Sequence, residues 1–83
     1  MRVLMFARLR EALGAPAIEL PEGAQPATVA ELRDWLSTQS PDEFATAIAD
    51  PNVICAVNQR VSGPNEPLSP GDEVAFFPPV TGG

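Results

Sequence analysis

The chain has 83 residues, 45% of them hydrophobic, and its 11 acidic and five basic side chains give a formal net charge of −6. This length allows one domain with a single core, which disfavours a self-contained enzyme with a buried site, and the acidity argues against nucleic acid and anionic membranes as partners. Histidine is absent and Cys55 is the single cysteine, so this inventory builds no structural zinc site, no histidine-based catalytic triad and no internal disulfide, and no metal site is expected.

The first elements in chain order are a strand, a short helix and a second strand. Residues 2–6 predict the first strand, which after Arg2 is apolar on both faces, as in a central strand. This apolar run is too short for a signal segment or a membrane span, so a cytoplasmic protein is expected. Leu9 and Leu13, one helical turn apart, predict a short helix that Gly14 ends. Residues 17–20 predict a second strand.

Two helices follow in the middle of the chain. Thr28 and Glu31 have the spacing of a capping box, which predicts the start of the main helix at Thr28. Its predicted inward stripe, with Trp35 beside it, consists of Val29, Leu32 and Leu36. Ser40 and Glu43 form a second box that predicts a shorter helix, on which Phe44 and Ile48 face the same way.

The last part of the chain is predicted to form strands joined by turns. Residues 53–58 predict a strand, Asn58-Gln59 a tight turn, and residues 60–61 a strand that pairs back. Ser69 to Asp72 fits a type II turn, with proline at its second and glycine at its third position, and leads into a final strand over residues 73–77. This order predicts an α+β fold, a β-grasp roll whose mixed sheet packs on one main helix with short extra helices. The predicted domain spans residues 1–77, and residues 78–83 form an extended tail.

The final strand is expected to point its side chains alternately into and out of the core. Val74 and Phe76 fall on one face, and Ala75 and Phe77 on the other. If the first pair is buried, Phe77 is exposed beside the tail, where an aromatic ring suits a partner interface that includes Ala75. The alternative is that Phe77 closes the edge of the core under a loop.

The tail has the composition of a stiff arm with a thin tip. Pro78 and Pro79 end the strand and hold the backbone extended, and Val80 and Thr81 form a short spacer. Gly82 and Gly83 lack a Cβ, so the end can enter a channel too narrow for other residues. The carboxylate of Gly83, ionised at neutral pH, is able to attack the α-phosphate of ATP and form an acyl-adenylate. A diglycine end by itself would equally fit a flexible terminus or a remnant of cloning.

Cys55 carries the only thiol of the chain and is therefore a candidate for chemistry of its own. It lies in an apolar strand, and no neighbour in the sequence would lower the pKa of its thiol. We therefore expect Cys55 to pack in the core as a small hydrophobic residue.

Three segments of the sequence are familiar from one protein family: DEVAFFPPVTGG at residues 72–83, VLMFARLREALG at residues 3–14 and AVNQ at residues 56–59. Together they resemble the small-subunit family of molybdopterin synthase, a family of ubiquitin-like sulfur carriers. The PPVTGG ending is the specific element, because a diglycine alone would admit any ubiquitin-like sulfur carrier. The resemblance implies a β-grasp, ubiquitin-like fold.

The resemblance also implies a role without catalytic side chains on this chain. An activating enzyme using MgATP would adenylate Gly83, and a sulfur donor protein would convert it to a thiocarboxylate. The tail would then enter the large synthase subunit, in a heterotetramer, and give sulfur to cyclic pyranopterin monophosphate. No permanently bound cofactor is implied, and the catalytic residues would lie on the large subunit. The alternatives are a carrier for thiazole or cysteine synthesis, a ubiquitin-like protein modifier, and a plain interaction module.

Overall fold

The computed structural model describes residues 1–39 and 42–78, with Gln39 described by its backbone alone. The described residues form five strands and three helices. In chain order these are β1 (Arg2–Met5), α1 (Arg8–Leu13), β2 (Ala17–Glu19), α2 (Val29–Gln39), α3 (Asp42–Ile48), β3 (Ile54–Val57), β4 (Arg60–Ser62) and β5 (Glu73–Phe77). None of the described helices is long and apolar enough to cross a membrane.

The five strands form one mixed sheet in the order β2-β1-β5-β3-β4. The first and last strands, β1 and β5, run parallel at its centre, and the other neighbouring strands are antiparallel. The predicted central position of β1 is therefore confirmed, as is the α+β class with a mixed sheet against one main helix. The strand that precedes the tail is the middle strand of the sheet, so it is held from both sides.

The core lies between one face of this sheet, called here the inner face, and the helices. The strands contribute Val3, Met5, Cys55, Val57, Val74 and Phe76, and the helices contribute Leu9, Val29, Leu32, Leu36, Phe44 and Ile48. Removing each large apolar side chain of this kind from water stabilises the fold by about 1.5–3 kcal/mol. The predicted stripe of α2 is confirmed, and Trp35 is half-buried against the same core.

The predicted ends of two helices are confirmed. Gly14 has a left-handed backbone, with φ 84°, and donates its N–H to the carbonyl of Arg10 at 2.9 Å. The hydroxyl of Thr28 accepts the N–H of Glu31 at 3.2 Å, while the Glu31 carboxylate accepts the N–H of Ala27 at 3.4 Å, one residue before the cap. The second capping box includes Ser40, which lies outside the described residues.

One of the two predicted turns is confirmed and the other is wrong in type. Asn58 and Gln59 both have positive φ, 50° and 69°, as a two-residue hairpin turn requires. The Asp72 N–H donates to the Ser69 carbonyl at 3.0 Å, so residues 69–72 do turn, but Gly71 does not have the positive φ of a type II turn. Glycine permits positive φ without requiring it, and a proline-glycine pair therefore fits type I as well.

Candidate functional site

The candidate site begins at the end of β5, where the chain leaves the sheet. Val74 and Phe76 are fully buried, whereas Ala75 and Phe77 are half-buried on the opposite face, so the predicted alternation of β5 is confirmed. The strand ends at Phe77, and Pro78 is half-buried outside it. The remaining predicted tail residues lie outside the described residues: Pro79, Val80, Thr81, Gly82 and Gly83.

Two other aliphatic or aromatic side chains surround Phe77 on the outer face of the sheet. The Phe77 ring stacks on that of Phe6, with 4.6 Å between the ring centroids and 8° between the ring planes. Ile54 lies directly opposite Phe77 in the pairing of β3 with β5, which places both side chains on the same face. Phe6 is 40% exposed and Ile54 39%. Phe77 thus packs on the outer face and does not close the core.

A second apolar row crosses the whole sheet beside this one. Its members pair directly from strand to strand: Ala17, Leu4, Ala75, Ala56 and Val61. Val61, on the edge strand β4, is 80% exposed. The two rows together are called the outer apolar face and consist of Leu4, Phe6, Ala17, Ile54, Ala56, Val61, Ala75 and Phe77.

The outer apolar face occupies only the tail end of the sheet. The next row, at the other end, pairs Glu19 with Arg2 and Arg2 with Glu73, and all three side chains are exposed. Apolar surface is therefore concentrated around the end of β5, from which the chain continues into the tail. Ala56 is buried within this face, and its other members are half-buried or exposed. A partly exposed apolar patch with stacked aromatic rings and a charged border is typical of a protein–protein interface.

Cys55 lies on the opposite, inner face and is 3% exposed. Burial raises the pKa of its thiol to about 11, against the smaller opposing effect of the nearby Arg33 guanidinium. That guanidinium donates hydrogen bonds to the carbonyls of Val53 and Asp50 and lies over the Phe76 ring, 5.7 Å from its centroid. The thiol is thus protonated at neutral pH and the core assignment of Cys55 is confirmed.

The sequence pattern identifies Ala75 and Phe77 for the interface but misses Phe6, Ile54 and Val61. It makes Phe6 the last residue of a first strand that is apolar on both faces, whereas β1 ends one residue earlier and the Phe6 ring is exposed. The other two lie on strands whose outward positions become neighbours of Phe77 only through the order of the sheet. Strand alternation in the sequence indicates which side chains point outward. Strand order and register are needed to show that these side chains are neighbours of Phe77.

Comparisons with known proteins agree with this architecture over the full chain. The ThiS family model matches residues 3–83. The molybdopterin synthase sulfur carrier subunit of Escherichia coli is 47% identical over 83 residues, which are 100% of this chain and 99% of that protein. The corresponding subunit of Haemophilus influenzae is 40% identical with the same coverage.

Solved structures show the same fold. The crystal structure of SAMP1, small archaeal modifier protein 1, from Haloferax volcanii matches with a TM-score of 0.80 and 27% identity, covering 99% of this chain and 97% of that one. The predicted ubiquitin-like β-grasp fold is thereby confirmed. With a family match over nearly every residue and these full-length relatives, the chain belongs to the ThiS family.

Proposed function

We propose that this chain is the sulfur carrier subunit of a molybdopterin synthase, with the carboxyl group of Gly83 as the sulfur-bearing group. The observation that carries the proposal is the full-length match, at 47% identity, to the E. coli subunit of that name. The outer apolar face supports it, because it surrounds the root of the tail that must enter another protein.

Charging the tail takes two steps on partner proteins. On an activating enzyme, a carboxylate oxygen of Gly83 attacks the α-phosphorus of MgATP, and pyrophosphate leaves with the electrons of the broken P–O bond. A sulfide equivalent from a sulfur donor protein then attacks the acyl carbon. AMP leaves with the electrons of the C–O bond, and the product is a thiocarboxylate. The tip brings only backbone to the reacting carbon, since glycine has no side chain to obstruct the approach.

Delivery occurs on the large synthase subunit. The outer apolar face docks against that subunit, and the tail reaches into its active site. There the thiocarboxylate sulfur forms a bond to a carbon of cyclic pyranopterin monophosphate, and an oxygen substituent of that carbon leaves. Water then cleaves the acyl C–S bond, which returns the Gly83 carboxylate and leaves the sulfur on the pterin. Two deliveries supply the dithiolene of molybdopterin. This chain contributes the docking surface and the sulfur, while the large subunit, paired in a heterotetramer, contributes the catalytic side chains.

Intact mass spectrometry tests the proposal. The protein is incubated with the activating enzyme, MgATP and a sulfur donor, and then with the large subunit and the pterin precursor. The expected result is replacement of one terminal oxygen by sulfur, followed by restoration of the original mass as molybdopterin forms. A protein of unchanged mass under conditions that charge the E. coli subunit would contradict the proposal.

A protein modifier is the second candidate, favoured by the match to the Haloferax volcanii modifier protein. In that case the activated Gly83 would form an isopeptide bond with lysine side chains of target proteins. The same mass experiment in the presence of a cell extract separates the two functions. Covalent adducts on target lysines support the modifier, and a thiocarboxylate consumed by the large subunit supports the carrier. A thiocarboxylate that only another pathway's synthase consumes would support a thiazole or cysteine carrier.

A further inference from the structure

A cluster of hydrogen bonds joins three segments at the end of the sheet opposite the tail. The Asn58 side chain, in the β3–β4 turn, donates from Nδ2 to Oδ1 of Asp72 at 3.0 Å. The Asn58 Oδ1 accepts the backbone N–H of Glu73 at 3.1 Å, and the backbone N–H of Asn58 donates to the Glu73 carbonyl at 2.8 Å. These bonds, called the Asn58–Asp72 clasp, attach the turn to the first residue of β5.

Asp72 extends the clasp to the preceding turn. Its second carboxylate oxygen, Oδ2, accepts the N–H of Ser69 at 2.8 Å. The hydrogen bonds from Ser69 and Asn58 hold the pKa of the Asp72 carboxyl below its usual value, so the group is ionised at neutral pH. Hydrogen bonds to an ionised acceptor are stronger than those between neutral groups. Both carboxylate oxygens are thus engaged in holding backbone turns together.

The clasp fixes the turn that leads into β4, a strand with few other features that define its position. This strand has three residues, lies at the edge of the sheet and pairs with β3. Arg60 and Val61 are exposed and Ser62 is half-buried, so no fully buried side chain fixes β4 to the core. An edge strand of this kind depends on its ladder and on its turn for a defined position.

Val61 is the residue of β4 whose position depends on this hairpin. It extends the second row of the outer apolar face to the sheet edge, and it is the most exposed of the three exposed large hydrophobic side chains among the described residues. Apolar contacts strengthen an interface when they are held in place before binding, because less conformational freedom is then lost. A Val61 that moves with a frayed β4 would contribute less.

We propose that Asn58 and Asp72 are positioning residues, which fix the β3–β4 hairpin so that Val61 forms part of the surface that docks on the large synthase subunit. The inference rests on the proposed function for the identity of the partner. The partner surface it requires is an apolar one that extends past β5 and β3 to the β4 edge. The clasp itself lies on the polar part of the sheet, outside the outer apolar face.

The test replaces Asn58 without spoiling the turn. Asn58→Gly keeps a residue suited to positive φ and removes both side-chain hydrogen bonds. Gln59→Gly, at the adjacent turn position with φ 69°, is the matched control, because the clasp does not include it. Calorimetric titration with the large subunit is expected to show a dissociation constant about fivefold to tenfold higher for Asn58→Gly than for the wild type. The dissociation constant of Gln59→Gly is expected to be unchanged.

A double-mutant cycle separates positioning from general destabilisation. Val61→Ala is expected to weaken binding about fivefold to tenfold in the wild-type background and by less than about twofold in the Asn58→Gly background, since residues that act together are not additive. Unchanged affinity of Asn58→Gly, or full multiplication of the two effects, would overturn the inference. The urea midpoints of all variants are measured in parallel, to verify that each variant is folded under the conditions of the titration.

Hydrogen exchange on the free protein keeps the inference distinct from the proposed function. Asn58→Gly is expected to speed exchange of the β4 amides that bond to β3, and Gln59→Gly is expected to leave them unchanged. Equal exchange in wild type and Asn58→Gly would overturn the clasp even if the large subunit binds. Wild-type protein that fails to bind the large subunit would instead contradict the proposed function and the partner named here.

Discussion

At the scale of single residues, Ala7 has a backbone conformation that alanine rarely adopts. Its φ and ψ are 51° and −125°, and the Leu9 N–H donates to the Phe6 carbonyl at 3.1 Å across it. These angles belong to the first central position of a type II′ turn, where glycine is preferred. The turn directs the chain from β1 into α1 immediately after Phe6, whose ring remains stacked on Phe77.

Replacing Ala7 by glycine is expected to stabilise the protein by roughly 1 kcal/mol. Relief of backbone strain, of order 1–3 kcal/mol, exceeds the entropy that glycine adds to the unfolded chain. Gly14→Ala is the matched control with the opposite sign, because Gly14 has φ 84° and a Cβ there is strained although it meets no neighbour. Urea denaturation gives both values, and a destabilised Ala7→Gly protein would show that position 7 is not strained.

Cys55 is expected to be chemically silent in the native protein. A pKa of about 11, raised from 9.0, lowers the thiolate fraction near pH 8 about a hundredfold, and burial adds a barrier to access. Reaction with a chromogenic disulfide reagent should therefore be at least about a hundredfold slower in the folded than in the urea-unfolded protein.

The same shift has a consequence for stability. Because the folded pKa is the higher one, the contribution of the neutral thiol is fully present below pH 9 and is lost as pH rises towards 11. Cys55→Ala lacks this titration, so its free energy of unfolding should fall less than that of the wild type between pH 9 and pH 11. The same variant should keep sulfur transfer. A folded Cys55→Ala protein without sulfur transfer would contradict the assignment of Cys55 to packing.

At the scale of elements, one face of the sheet packs in the core and the other is the proposed binding face. Phe77→Ala is expected to weaken the complex with the large subunit about tenfold or more, because a partly exposed aromatic ring beside the tail has the character of an interface hot spot. Folding should lose only about 1 kcal/mol, comparable with the loss of an aromatic stack.

Leu13→Ala is the control for this substitution. Leu13 is half-buried against the core from α1 and does not belong to the outer apolar face. Its truncation should lower the urea midpoint and leave the dissociation constant unchanged. An unchanged dissociation constant for Phe77→Ala would remove Phe77 from the interface.

Elements whose cause is local were predictable from the sequence. The spacing of Leu9, Leu13 and Gly14 identified α1, and Thr28 identified the start of α2, since helix periodicity and capping depend on residues within one or two turns. The alternation of β5 was predictable for the same reason. The error at Gly71 arose because proline-glycine fits two turn types and the choice depends on neighbouring structure.

Features that depend on strand order were not predictable. Phe6, Ile54 and Phe77 come from three parts of the chain that become neighbours only in the folded sheet, and Asn58 meets Asp72 across 14 positions of sequence. No local propensity encodes such contacts, so the outer apolar face and the clasp required the structure. The tail lies at the other extreme, since its composition together with the family resemblance led to the expectation for Gly83 without any knowledge of strand order.

At the scale of the whole molecule, three tasks fall to three parts of one small chain. The inner face and the helices form the core, the outer apolar face is the proposed docking surface, and β5, held between two strands, leads into the tail. The proposed chemistry needs nothing else from this chain, since the activating enzyme, the sulfur donor and the large subunit supply the remaining groups. The central claim is therefore that the fold presents the carboxyl group of Gly83.

That claim is tested most directly by changing the end of the chain and nothing else. Wild type, a variant lacking Gly83 and a variant with one phenylalanine appended after Gly83 are each checked by intact mass and thermal melting. They are then assayed for molybdopterin formation with the activating enzyme, MgATP, sulfur donor and large subunit. We predict equal melting temperatures and activity in the wild type alone. Normal sulfur donation by the untrimmed, extended variant would contradict the account.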